Sequence, residues 1–209
     1  ALTYRAEQGG SLQGPASQQV GHAQSGRAVT AVAAAGYQFA GWSDGSLAAS
    51  RTDSNVTANV TFTALFTVNR YTANYSANKG GSIHGLESQN VAHGGNTTAV
   101  AAVPDAGYIF LKWSDGVTAN PRTDTNITAN SSVEAIFEIA QYNLTYSAGN
   151  GGSLNGAASQ WVAHGLDGAA IHATAHTGYV FTGWSDGVTA NPRTDLNIQV
   201  NKSVEAIFE

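Results

Sequence analysis

Short stretches in which large apolar residues alternate with small or polar ones run along the whole chain, and turn-forming residues separate them. Residues 71–139 show the pattern most clearly, with turns at Asn78-Lys79-Gly80-Gly81 and Pro104-Asp105-Ala106-Gly107. Alternation predicts half-buried strands, because successive side chains of a strand point to opposite faces. The predicted strand segments are Tyr71–Ser76, Ser82–Gly85, Thr97–Val103, Tyr108–Trp113, Asn126–Asn130 and Ser132–Ile139. No stretch holds a helical period over ten residues, so an all-β or mainly β fold is predicted, although the segment before Val91 also fits a short helical turn.

The segment Tyr108–Trp113 carries three aromatic residues whose spacing predicts where they point. Tyr108 and Phe110 lie two residues apart and share one face of the strand. Trp113 lies three residues beyond Phe110, so it falls on the opposite face unless a bulge intervenes. We therefore expect Trp113 to be the member of this set that is partly exposed.

The same pattern occurs three times with an offset of 71 residues and without any insertion or deletion. Trp-Ser-Asp-Gly begins at Trp42, Trp113 and Trp184, and a Gly-Gly-Ser turn begins at Gly9, Gly80 and Gly151. Self-similarity at a fixed period is the sequence signature of a repeat architecture. We predict three small β modules, β-grasp-like or small sandwiches, over residues 1–69, 70–140 and 141–209, arranged as an elongated array. The junctions Val68-Asn69-Arg70 and Ile139-Ala140-Gln141 lack Gly and Pro, which indicates stiff connections.

Composition excludes several classes of function. The chain has no Cys, so disulfides, thiolate metal sites and a Cys nucleophile are excluded. Charged residues make up 11% of the chain, the net charge is -5, and no Lys/Arg cluster suggests nucleic-acid binding. No apolar run approaches the roughly 20 residues that a membrane-spanning helix needs. We expect no cofactor, no membrane insertion by this segment, and a monomer in isolation.

The combined pattern resembles the divergent internalin-B-type B-repeat of bacterial surface and secreted proteins. The resemblance is carried by Gly-Gly-Ser, Val-x-His, Gly-Tyr-x-Phe-x-x-Trp-Ser-Asp-Gly and a final Ala-x-Phe, in every copy. It implies small β modules that act as stalks, spacers or adhesive segments at the bacterial cell surface or outside the cell. It implies no catalytic residues, and a fold alone does not identify a ligand.

Two recurring side-chain sets are candidate binding residues. The aromatic set around Trp42, Trp113 and Trp184 could form a platform that stacks on sugars, or it could form the core of each small module, which we favour. A second set, of Asp and Arg residues, could bind hydroxyl groups of a ligand, or its Arg–carboxylate pair could stabilise an Asp-Gly turn, which we favour. Calcium binding is a third interpretation, although the oxygen ligands are few. The members of the second set are Asp44, Arg51 and Asp53 in the first copy, Asp115, Arg122 and Asp124 in the second, and Asp186, Arg193 and Asp195 in the third.

Trp161 is the one aromatic residue that breaks the repeat, because its equivalents are Gln19 and Asn90. A position that accepts Gln and Asn is expected to be exposed, and an exposed Trp suggests a contact surface. It is the last candidate ligand-binding residue, and the alternative is that it packs against whatever follows in the full-length protein. Each copy also holds one equivalent His, at His22, His93 and His164, and a single His per module cannot chelate a metal alone.

Two hypotheses for function follow, and an enzyme is not expected, because the repeats show no catalytic set. In the first, the modules form a non-enzymatic stalk or spacer in an adhesive bacterial surface protein. In the second, three equivalent sites bind a glycan or a host or cell-surface protein and gain avidity from repetition.

Overall fold

The computed structural model describes every residue from Ala1 to Glu209 and contains nineteen strands and no helix. The first module contains β1 (Leu2–Ala6), β2 (Gly10–Gln13), β3 (Ser17–Gln18), β4 (Val29–Ala33), β5 (Tyr37–Trp42), β6 (Ser50–Arg51) and β7 (Val60–Val68). The second contains β8 (Arg70–Ala77), β9 (Gly81–His84), β10 (Ser88–Ala92), β11 (Ala101–Pro104), β12 (Tyr108–Trp113) and β13 (Ser131–Ile139). The third contains β14 (Gln141–Ala148), β15 (Gly152–Asn155), β16 (Ser159–Ala163), β17 (His172–Ala175), β18 (Phe181–Trp184) and β19 (Lys202–Phe208).

Each module is built from one four-stranded sheet and one smaller sheet. The four-stranded sheets have the orders β3-β1-β7-β5, β10-β8-β13-β12 and β16-β14-β19-β18, which is the same topology three times. The first and last strands of a module lie side by side in parallel at the centre of this sheet, as β1 with β7 and β14 with β19. The smaller sheets are β2-β4-β6, β9-β11 and β15-β17. The prediction of three tandem all-β modules is therefore confirmed.

The chain also divides into two compact units, and the boundary between them runs through the second module. The first unit comprises Ala1–Tyr75, Gly85–Val100 and Pro121–Val133, and the second comprises Ser76–His84, Ala101–Asn120 and Glu134–Glu209. The core of the first unit contains Leu2, Tyr4, Val29, Ala31, Trp42, Val56 and Ala64. The core of the second contains Leu144, Tyr146, Val162, Ile171, Trp184, Val204 and Phe208, among others.

The Gly-Gly turns recur because aromatic rings lie directly against them. A Cβ at Gly80 would lie 2.2 Å from the ring of Tyr108, and one at Gly81 would lie 2.4 Å from the ring of Phe137. Such distances are far shorter than a carbon–carbon contact of about 3.5 Å, so only glycine fits. Gly80 also has a φ of +107°, which favours glycine. The turn motif thus serves packing as well as chain reversal.

Three details of the predicted secondary structure were wrong. The strand predicted over Thr97–Val103 is shorter, because β11 begins only at Ala101. The segment Ser88–Ala92 is an edge strand that pairs antiparallel with β8, so the chain before Val91 forms no helical turn. The segment Asn126–Asn130 is not a strand, since only Ile127 forms an isolated bridge, to Gly95. Asn126 has a φ of +54°, as do its equivalents Asn55 and Asn197 within a few degrees, and a left-handed residue interrupts a strand.

Candidate functional site

The three repeated tryptophans are core residues. Trp42, Trp113 and Trp184 are 1%, 0% and 1% exposed, so the expectation that Trp113 is partly exposed was wrong. A β-bulge between Phe110 and Lys112 adds one residue to the strand and turns Trp113 back to the face that Phe110 occupies. Each indole N–H donates to a backbone oxygen at 3.0 Å, that of Ala48, Ala119 or Ala190. A buried indole of this kind offers no face on which a sugar ring could stack.

The Asp and Arg residues of the third module form a buried ion-pair clamp. Arg193, only 2% exposed, donates from Nη1 and Nη2 to the two carboxylate oxygens of Asp186, both at 2.7 Å. The same guanidinium donates from Nε and Nη2 to Asp195, again at 2.7 Å. Tyr146 and Lys202 also donate to Asp195, at 2.7 and 2.6 Å. Four of the five N–H donors of the arginine are thus used within the protein, which leaves it little capacity for a ligand.

The first module repeats this arrangement. Arg51 donates to both oxygens of Asp44, at 3.1 and 2.9 Å, and to both oxygens of Asp53, at 3.0 and 2.6 Å. The Tyr4 hydroxyl donates to Asp53 at 2.6 Å, and the Arg51 guanidinium carbon lies 3.6 Å from the centroid of the Phe62 ring. The arginine therefore joins the Asp-Gly turn to the core of the module.

In the second module, Arg122 donates to Asp124 at 2.6 Å, and the Tyr75 hydroxyl donates to the same carboxylate at 2.6 Å. Asp115 is exposed in its turn and accepts from the backbone N–H of Val117 at 3.3 Å. The carboxylate that receives a Tyr hydroxyl and an Arg Nη2 is therefore common to all three copies.

Protonation equilibria reflect these contacts. The hydrogen bonds from Arg193 lower the pKa of Asp186 below its usual value. Burial opposes ionisation of Asp195, but the hydrogen bonds from Arg193, Lys202 and Tyr146 outweigh burial and hold its pKa well below the usual range. Burial, and then the hydrogen bond to Asp195, raise the pKa of the Tyr146 hydroxyl. The clamp thus holds a negative Asp195 and a neutral Tyr146.

The junctions between modules are built from a glycine, a histidine and two backbone hydrogen bonds. In the second compact unit, Ala140 donates its N–H to the oxygen of Gly107 at 2.9 Å, and His164 donates its N–H to the oxygen of Ala140 at 2.9 Å. A Cβ at Gly107 would lie 2.3 Å from Cδ2 of His164, so the imidazole lies directly on the glycine. The imidazole also contacts Tyr142, with ring centroids 5.9 Å apart.

The junction in the first compact unit has the same design. Asn69 donates to Gly36 at 2.8 Å, and His93 donates to Asn69 at 2.8 Å. A Cβ at Gly36 would lie 2.2 Å from Cδ2 of His93, whose ring lies 5.9 Å from that of Tyr71. The sequence showed one His per module but gave no role to it. The signal was present in the equal offsets of Gly36, His93 and their partners.

Comparison with known proteins identifies this architecture. The divergent InlB B-repeat domain matches the chain three times, over residues 1–70, 71–141 and 142–209. The chain belongs to this family. B-repeats are typical of bacterial surface and secreted proteins, so the chain is a tandem B-repeat region of bacterial surface type. No curated protein matches it. Among solved structures, the Bacillus anthracis TIE protein matches at 8% identity with a TM-score of 0.38, over 98% of this chain and 49% of that one.

A buried glutamine stabilises each B-repeat and was missed by sequence reasoning. In the third repeat, the Gln160 amide donates to the oxygens of Ala157 and Ala169, at 3.1 and 3.0 Å, and accepts from the N–H of Ala169 at 2.7 Å. Gln18 and Gln89 make the corresponding three bonds. The side chain thereby pairs the edge strand with the following loop. Its recurrence at an inward-facing strand position was the available signal.

Trp161 is 70% exposed, as expected for a position held by Gln and Asn in the other B-repeats. It lies on edge strand β16, opposite Asn143 of β14. No group of three or more His, Asp or Glu side chains is arranged to hold a metal ion. The structure also holds no helix long and apolar enough to cross a membrane.

Proposed function

We propose that this B-repeat region is a non-enzymatic spacer that holds neighbouring parts of a bacterial surface or secreted protein at a set separation. The observation that carries the proposal is the equivalence of the two junctions, each with the same two backbone hydrogen bonds and the same histidine against the same glycine. In repeat proteins each repeat contacts its neighbours, so a recurring junction gives each pair of adjacent modules the same geometry.

The contacts at each junction favour stiffness over a flexible connection. The connecting residue Asn69 or Ala140 uses both its N–H and its C=O in hydrogen bonds to the two modules that it joins. The strand that ends one module and the strand that begins the next are separated by that single residue, as in β7 and β8. Such a connection has almost no freedom to swivel, because any rotation breaks both bonds.

The alternative function, multivalent binding through three equivalent aromatic and Asp/Arg sites, has less support. The three repeated indoles are buried, and in the first and third modules the arginine forks are filled by two carboxylates each. Adhesion by these side chains would require the modules to open. The repeated residues therefore support an interpretation in which they stabilise the modules.

Distance measurements by pulsed electron paramagnetic resonance test the spacer proposal. The chain has no native Cys, so spin labels can be placed on Leu47, Thr118 and Thr189, three exposed and equivalent positions. We expect narrow, single-peaked distance distributions for the pairs 47/118 and 118/189, with similar means. Gly107→Ala should broaden the 118/189 distribution and leave 47/118 unchanged, and Gly36→Ala should do the reverse. Broad distributions in the unsubstituted chain would overturn the proposal.

A further inference from the structure

A surface unique to the third module lies around Trp161, on the outward face of its four-stranded sheet. Alternation along β16 buries Gln160 and Val162 and leaves Trp161 pointing outward. The indole borders a groove of about 400 Å³ that also includes Leu166 and Asp167. A groove of about 360 Å³ occupies the same place in the first module, where Gln19, Gln24 and Ser25 replace these three residues. The groove therefore follows from the shared fold, and only in the third module is it lined by an aromatic side chain.

Away from the groove, the residues beside Trp161 on the neighbouring strands are polar and mostly uncharged. Register places Ser159 opposite Thr145, and Thr145 opposite Ser203, so three hydroxyl-bearing residues form a row across three strands. A second concavity of about 260 Å³ lies on this face, and its lining residues are Asn143, Thr145, Asn201, Lys202 and Ser203. An exposed aromatic ring thus stands beside a row of hydroxyl and amide groups.

The equivalent surface of the second module differs in a way that supports a specific role for Trp161. There Asn90 occupies the position of Trp161, and Arg70 donates to both the side chain and the backbone oxygen of Asn90. In the third module Gln141 stands in place of Arg70, so no guanidinium covers the position. Relative to the second module, Trp161 in place of Asn90 and Gln141 in place of Arg70 thus replace a polar, internally hydrogen-bonded site with an exposed aromatic side chain.

From this arrangement we propose that the third module binds a neutral oligosaccharide, with the C–H face of one pyranose ring on the Trp161 indole. The hydroxyls of the sugar bond to the Asn143, Thr145 and Ser203 side chains, and the chain extends into the groove beside Leu166. The apolar face of an indole suits the C–H side of a sugar ring, while amide and hydroxyl side chains match the hydroxyl groups around the rim of the sugar. A protein partner fits less well, because stable interfaces bury about 800 Å² per partner around an aromatic-rich core, and here only Trp161 and Leu166 stand among Ser, Thr and Asn.

A binding experiment on the whole chain tests the proposal. The protein is screened on a printed glycan array and titrated with cellohexaose and N-acetylchitohexaose, followed by tryptophan fluorescence and calorimetry. Three of the four tryptophans are buried, so a change in emission reports Trp161. We expect binding to at least one neutral glycan, weakened at least about tenfold by Trp161→Asn, which loses the contact area of a large aromatic side chain.

Matched variants keep the test decisive. Trp161→Asn introduces the residue that the second module carries, so it is compatible with the fold, and Trp161→Phe should retain part of the affinity. Leu47→Asn removes a similarly exposed apolar side chain from the first module and should leave the glycan affinity unchanged. Absence of binding to the array and to both hexasaccharides at millimolar concentration overturns the proposal. The proposal is also overturned if the Trp161→Asn variant binds the glycan as tightly as the unsubstituted chain does. It is overturned as well if the chain binds no glycan but binds a protein through Trp161.

Discussion

Gly107 and Gly178 occupy the same position in two modules and differ in their surroundings, so they form a matched pair for measuring the junction. Gly107 has a φ of +81° and lies against the imidazole of His164. Gly178 has a φ of +86°, and a Cβ there would meet no atom within 4 Å. Alanine at either site meets the same backbone penalty, and only Gly107→Ala also places a methyl group against His164.

The structure gives the size of each effect. Alanine in a left-handed conformation costs about 1–2 kcal/mol, so Gly178→Ala should lower the free energy of unfolding by that amount. In Gly107→Ala the new methyl would lie 2.3 Å from Cδ2 of His164. Relief requires a shift of more than about 1 Å, and over-packing of this kind costs about 1–3 kcal/mol. We therefore expect a total loss of about 2–5 kcal/mol for Gly107→Ala.

Urea unfolding followed by circular dichroism gives the stability of each variant, and amide hydrogen exchange locates the change. Exchange at Ala140 and His164 should accelerate in Gly107→Ala, because both N–H groups belong to the junction. It should stay unchanged in Gly178→Ala. His164→Ala provides the double-mutant cycle: in that background Gly107→Ala should cost no more than Gly178→Ala. Equal costs for the two glycines in the unsubstituted chain would refute the argument that the imidazole rests on Gly107.

Four further outcomes are expected. Arg193→Met leaves Asp195 buried without its main partner and should cost about 3 kcal/mol in urea unfolding, the lower end for a broken buried pair because Lys202 stays. The depressed pKa of Asp195 stabilises the fold above its unfolded pKa of about 3.9, and this contribution is lost as the pH falls through the folded pKa. Acid titration of Asp195→Asn should accordingly show a shallower loss of stability than the unsubstituted chain. Gln160→Leu should lower the free energy of unfolding by about 2–4 kcal/mol and accelerate amide exchange at Ala169. Gln199→Leu, at an exposed position, should change neither quantity. Acrylamide should quench one tryptophan of four, and Trp161→Phe should abolish that quenching.

The repeat period, the all-β class and the family resemblance could be read from the sequence because they depend on local information. Alternation reports strand faces directly, and an unbroken offset of 71 residues reports duplication whatever the fold. The exposure of Trp161 also followed from the sequence, since the other copies hold Gln19 and Asn90 at a position that does not need to be apolar.

Tertiary structure alone decided the orientation of Trp113 and the partners of His93, His164 and Gln160. A bulge depends on how two strands pair, so the parity argument for Trp113 failed although the sequence periodicity was correct. The histidines act on glycines of the preceding module, 57 residues earlier in the chain, and no local pattern links the two. Local periodicity therefore determined most of the strands, and long-range packing determined how they pair and what their side chains contact.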